Sequence, residues 1–163
     1  MKNLCTALFL LFIYTECSSQ TKTEALLSLN KKIDINKLNN TEEDYNYLLE
    51  EVEFKNKKVI KLIQFCRTFK LCSTAYLLTT NEFIGITVNE NDKSKYIEVS
   101  FKTNAIETQK INIRTEEHFK ADPASSFIIF LEKNTPPTEV NKIKIAVVDL
   151  LKMYGIEKKD VLD

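Results

Sequence analysis

Residues 95–103 alternate strictly between apolar and polar side chains, and this alternation most limits the fold that the chain can adopt. The alternating positions are Ile97, Val99 and Phe101 on one face and Glu98, Ser100 and Lys102 on the other. Because successive side chains of a strand point to opposite faces, the segment predicts a half-buried β-strand. A strand with one polar face is typical of an antiparallel sheet that is covered on one side.

Other β-prone runs lie on both sides of this strand. They cover residues 75–79, 83–88, 109–115 and 127–131. The polar segment Asn89–Asp92 predicts a hairpin turn, and Val161-Leu162 predicts a short final edge strand. The runs together predict a mostly antiparallel sheet of four or five strands, with the all-apolar run 127–131 at its centre.

A helical pattern precedes the sheet. Thr41 and Asp44 have the spacing of a helix cap, and apolar residues then recur at intervals of three, four and seven. Those residues are Tyr45, Leu48, Leu49, Val52, Val59, Ile60 and Ile63. Lys55–Lys58 interrupts the pattern, so one long helix and two shorter helices both remain open.

The last element is a second helix. Thr135 predicts its cap, Pro136 its first turn and Gly155 its end. Its apolar face is formed by Val140, Ile143, Val147, Leu150, Leu151 and Tyr154. The sequence therefore predicts an α+β fold, with an N-terminal helical segment, the antiparallel sheet and a C-terminal helix packed on that sheet.

The first nineteen residues have the three-part layout of a secretory signal peptide. Lys2 supplies a positive charge, residues 4–14 are uncharged and mostly apolar, and Cys17-Ser18-Ser19 are small. As a helix the uncharged run spans only about 16 Å, roughly half of a bilayer core. We therefore expect a signal peptide over residues 1–19, a flexible N-terminal segment over 20–40 and one globular domain over 41–163. Within the N-terminal segment, residues 21–30 are equally compatible with a short helix and with a tether.

Two processing routes are open for this leader. Cleavage after Ser19 would leave Gln20 as the first residue of a freely secreted protein. Alternatively, Cys17 would become the first residue and carry a lipid on its thiol. The stretch Cys17-Ser18-Ser19-Gln20 resembles lipoprotein starts in the Bacteroidetes group of bacteria, although Glu16 stands where such signals have a small residue. The expected location is therefore the periplasm or outer membrane as a lipoprotein, or the medium as a secreted protein.

Composition argues against several classes of function. Lysine plus arginine equals aspartate plus glutamate, 23 against 23, which gives no electrostatic reason to expect nucleic acid as a partner. Gly85 and Gly155 are the only glycines, whereas phosphate-binding loops and nucleophile elbows need several. We therefore expect no cofactor.

The candidate chemical groups are few. His118 is the only histidine, and although Glu117 and Asp122 lie near it in sequence, a zinc site normally takes three or four ligands. We expect neither a metal site nor a catalytic site there. Cys66 and Cys72 are the cysteines that remain beyond the leader, and in an oxidising compartment they are candidates for a disulfide. A continuous helix would hold them about 9 Å apart, so the bond requires the chain to turn back.

One further resemblance concerns the C-terminal region. The strand 127–131, the turn Glu132–Pro136, the amphipathic helix and Gly155-Ile156 resemble the C-terminal part of ExbD/TolR-family periplasmic domains. The resemblance covers residues 127–156 and implies an accessory role in an envelope complex. The membrane helix with a proton-handling aspartate that belongs to that family has no counterpart in this leader.

Three functions are therefore considered. The residues favour an exported, non-catalytic module that binds a protein partner, through the aromatic residues of 45–69 or an exposed sheet edge. The alternatives are a small secreted hydrolase and the ExbD/TolR-like accessory component. A hydrolase would require catalytic carboxylates that are distant in sequence and that the fold brings together.

Processing of the leader is directly testable. We expect the intact mass of the native protein to correspond to a chain that begins at Cys17 with added acyl groups, or at Gln20 without them. In the first case, Cys17→Ala releases the protein from membranes. A full-length mass that includes Met1 would contradict export.

Overall fold

The computed structural model describes residues 21–39, 45–66, 72–80, 82–112, 115 and 117–158. This part of the chain contains two helices, one near each end, and eight strands. The helices are α1 (Lys22–Asn36) and α2 (Pro137–Met153). The strands are β1 (Tyr45–Phe54), β2 (Lys57–Cys66), β3 (Cys72–Leu78), β4 (Phe83–Glu90), β5 (Ser94–Phe101), β6 (Glu107–Asn112), β7 (His118–Lys120) and β8 (Ser126–Glu132). The predicted α+β class is confirmed.

The strands form two antiparallel sheets. The larger has the order β1-β2-β3-β6-β7, and the smaller has the order β4-β5-β8. The five predicted β runs correspond to β3, β4, β5, β6 and β8, and the predicted turn joins β4 to β5. The run 127–131 lies in β8, which is an edge strand of its sheet and not the central strand that we expected.

The predicted helix is wrong over residues 45–63, because β1 and β2 form a hairpin there. Lys55 and Asn56 occupy its turn with positive φ angles of 50° and 61°, between the paired residues Phe54 and Lys57. Two successive residues with positive φ are the signature of a type I′ turn, whose twist matches that of an antiparallel ribbon. The polar segment that interrupted the helical pattern is therefore the turn of the hairpin.

The helical spacing in this region has a physical explanation. Leu49, Ile60 and Leu62 are buried in the main core, while Val59 and Ile63 are buried on the opposite face of the same hairpin. Because both faces carry apolar side chains, polar and apolar residues do not alternate. The resulting intervals of three and four then imitate a helix.

The segment predicted to be flexible contains helix α1 instead. Thr21 caps it, since the Thr21 hydroxyl accepts from the Glu24 amide and the Glu24 carboxylate accepts from the Thr21 amide. Ala25, Leu26, Leu29 and Ile33 of this helix are buried. Residues 22–36 are therefore part of the globular unit and not a tether.

Helix α2 is confirmed, and it begins one residue later than predicted. Pro136 is the N-cap, Pro137 is the first helical residue, and Gly155 follows the helix with a φ of 72°. Its buried residues are Val140, Ile143, Val147, Leu150 and Leu151. They join α1 and both sheets in one hydrophobic core.

Several predictions lie outside the described residues. These are the leader with Cys17, the cap formed by Thr41 and Asp44, and the final strand at Val161-Leu162. The backbones of Cys66 and Cys72 are described, but their side chains are not.

Asn30 joins α1 to the edge of the larger sheet. Its amide nitrogen donates to the Leu49 carbonyl, and its amide oxygen accepts from the Leu49 N–H, each at 2.8 Å. One side chain thus supplies both bonds that a neighbouring strand would supply to Leu49. Part of the β1 edge is therefore satisfied by a helix.

We predict that Asn30→Ala lowers the free energy of unfolding by about 1–3 kcal/mol, because it leaves both backbone groups of Leu49 without their partner. Urea denaturation of the purified protein measures this change. The control is Lys31→Ala, an exposed position on the same helix, for which we expect a change within about 0.5 kcal/mol. Equal changes in the free energy of unfolding for the two variants would show that the Asn30 hydrogen bonds do not stabilise the fold.

Candidate binding site at the edge of the smaller sheet

The two edges of the three-stranded sheet differ in how their backbone groups are satisfied. At the β8 edge, Leu38 N donates to the Phe130 carbonyl at 3.1 Å, and Phe130 N donates to the Tyr47 hydroxyl at 2.8 Å. Asn39 N donates to a carboxylate oxygen of Glu132 at 2.8 Å. The residues that follow α1 and a tyrosine of β1 therefore cover the β8 edge.

The opposite edge belongs to β4. Asn91 N donates to the Ser94 carbonyl at 2.9 Å, so this pair at the end of the hairpin is hydrogen-bonded. Hydrogen-bonded and non-hydrogen-bonded pairs alternate along an antiparallel ladder. By this alternation, Ile86, Val88 and Glu90 direct their N–H and C=O groups away from β5. We call these outward backbone groups the β4 edge.

Within the described part of the chain, the backbone pairing on this outer side is confined to one position. Phe83 forms a parallel bridge with Lys158, which follows α2. No described backbone group pairs with the outer side of residues 84–90. Among the described residues, extended chain therefore pairs with the outer side of β4 at its first residue only.

A groove lies beside the β4 edge, and we call it the Val88 groove. Its volume is about 380 Å³, within the range of small binding clefts. Val88, Pro137 and Val140 provide its apolar surface, and its polar lining is formed by Asn89, Glu90, Lys95, Asn141 and Lys144. The Val88 side chain is 45% exposed there. The groove is large enough for one or two side chains.

The charges around this groove are predominantly positive. Lys133 pairs with Glu90 at 3.0 Å, and its hydrogen bond and charge hold the pKa of Glu90 below its usual range. Lys95 Nζ donates to the Thr135 carbonyl, a neutral acceptor, at 2.8 Å. Within the described part of the chain, neither Lys95 nor Lys144 forms an ion pair.

His118 lies elsewhere, on β7 at the edge of the larger sheet. Its Nδ1 is 3.2 Å from the Gln109 side-chain oxygen, and the ring is exposed. Of the neighbouring acids, the Glu117 carboxylate accepts from the Thr115 hydroxyl, while Asp122 accepts from the Thr108 hydroxyl through its backbone carbonyl. The described residues contain no cluster of three or more metal-ligating side chains. Lys55 and Glu107, which pair with each other at 2.6 Å, line the same cavity as His118.

The aromatic residues of β1 act in packing. The Tyr45 ring stacks on Phe130, with 4.6 Å between ring centroids, and the Tyr47 hydroxyl accepts the hydrogen bond from the Phe130 N–H. These rings join β1 to β8. The sequence predicts β4 as a strand but not as an edge strand, because whether a strand is an edge depends on partners that are distant in sequence.

Comparisons with protein-family models, curated proteins and solved structures find no match to this chain. Neither described helix is long and apolar enough to cross a membrane.

We predict that His118→Ala changes the free energy of unfolding by less than about 0.5 kcal/mol, because an exposed ring with one side-chain contact contributes little to stability. Thermal and urea denaturation measure this change. The same variant tests the hydrolase alternative, since turnover that wild type shows and His118→Ala loses would establish a catalytic role.

Proposed function

We propose that the protein is an exported, non-catalytic module that binds an extended segment of a partner protein at the β4 edge. The observation that carries this proposal is the row of outward backbone groups at Ile86, Val88 and Glu90, next to an apolar groove. An extended peptide that pairs with such an edge gains main-chain hydrogen bonds, and alternate side chains enter adjacent pockets. Export rests on the leader, with Cys17 or Gln20 as the first residue.

The bridge between Phe83 and Lys158 supports this mode of binding. At Phe83, the outer side of β4 pairs with extended chain in the parallel direction. A partner segment would take the positions that follow, from Ile86 to Glu90. Backbone pairing supplies affinity there, and the groove supplies selectivity.

The lining of the groove indicates the chemistry of the segment. Val88, Pro137 and Val140 favour an apolar side chain, and Lys95 and Lys144 favour an acidic side chain close to it. Glu90 adds little repulsion because Lys133 neutralises it. We therefore propose a partner segment in which apolar and acidic residues occur together.

A peptide-display selection against the purified protein tests this proposal. We expect enriched peptides to be extended sequences that contain an acidic and an apolar residue, and to bind with measurable fluorescence polarisation. Val88→Pro should abolish binding, because it removes an outward N–H while leaving the ladder to β5 intact. Circular dichroism establishes that the variant is folded.

A charge reversal tests the role of the groove separately. Lys144→Glu should weaken binding about tenfold or more, since it replaces attraction with repulsion beside the acidic residue. The matched control is Lys152→Glu, an exposed position on α2 outside the groove, which should leave binding unchanged. Peptides that bind wild type and Val88→Pro equally would disprove the proposed site.

A further inference from the structure

Extended by one step, the β2–β3 register brings the two cysteines of the processed chain to facing positions. The register runs from Ile60 opposite Leu78 to Phe65 opposite Ser73, without a shift. One more step along the same register pairs Cys66 with Cys72. Cys66 is the last residue of β2 and Cys72 the first residue of β3, so this step stays within both strands.

Facing residues of an antiparallel pair meet the geometric requirement for a disulfide. Their Cα atoms lie about 4.5–5.5 Å apart, and a disulfide needs about 4.4–6.8 Å. Residues that face each other also share a face of the sheet. The helical arrangement expected from the sequence would have separated the cysteines, whereas the hairpin brings the two backbones together.

We propose that Cys66 and Cys72 form a disulfide that closes the end of the β2–β3 hairpin. Each thiol loses its proton, an S–S bond forms, and two electrons pass to a disulfide of a thiol oxidoreductase or of glutathione, which becomes two thiols. Cys5 lies in the leader, and Cys17 is removed or lipidated, so the processed chain offers no other pairing.

The bond would join two interior strands of the five-stranded sheet. Cys66 is paired with Tyr45 of β1 on its other side, and Cys72 with Asn112 of β6. A covalent link at this point therefore holds four consecutive strands in register at one end of the sheet. Its effect should be greatest on the ends of these strands that lie near the cysteines.

The test begins with the processed protein, reduced, unfolded and refolded in a glutathione redox buffer. Free thiols are then blocked, and the protein is digested with trypsin without reductant. We expect peptides 62–67 and 71–93 to appear as one linked species that separates on reduction, because cleavage after Arg67 and Lys70 lies between the cysteines. This readout does not depend on export.

A displaced cysteine is the matched control. The double variant Cys72→Ser with Ser73→Cys keeps two thiols but moves one of them to the facing position of Phe65, on the other side of the sheet. We expect it to remain reduced or to form mixed disulfides with glutathione. Wild-type protein in which both cysteines stay alkylatable, or a displaced variant that oxidises equally well, would overturn the proposal.

Discussion

The packing of α1 against β1 of the larger sheet and β8 of the smaller sheet is the constraint on which the rest of the structure depends. Leu29 and Ile33 are almost completely buried in the common core, and Asn30 satisfies the backbone of Leu49 on β1. The chain that leaves the helix then supplies Leu38 to the β8 edge. The helix and the residues that follow it thus cover parts of two sheet edges, one on β1 and one on β8.

A polar cluster joins the start of α1 to the end of α2 and to the β1–β2 hairpin. The Tyr154 hydroxyl donates to Glu51 at 2.7 Å, Lys58 pairs with the same carboxylate at 2.7 Å, and Lys22 lies over the Tyr154 ring. Hydrogen bonds from Lys58 and Tyr154 lower the pKa of Glu51, while burial and the bond to Glu51 raise the pKa of Tyr154. Both shifts favour the observed pairing at neutral pH, which joins the start of α1, the end of α2 and the β1–β2 hairpin.

The parts of the fold that sequence could predict were those with a clear local pattern. The alternation in β5 and the amphipathic face of α2 each follow from burial on a single side. The β1–β2 hairpin buries apolar residues on both faces, so the spacing of its apolar residues imitated that of a helix. In α1, Leu27 and Ile35 are 64% and 70% exposed, which blurs the helical stripe. Edge positions and cysteine pairing depend on strand order and register, which no local pattern contains.

Amide hydrogen exchange along β4 tests the central claim most directly. If the β4 edge is available to a partner, the Val88 amide exchanges much faster than the neighbouring Thr87 amide, which the alternation assigns to the ladder with β5. Addition of a selected peptide should then slow exchange at Ile86, Val88 and Glu90 while leaving Thr87 unchanged. A Val88 amide that is already as protected as Thr87 in the free protein, or that stays unprotected when the peptide is bound, would contradict the account.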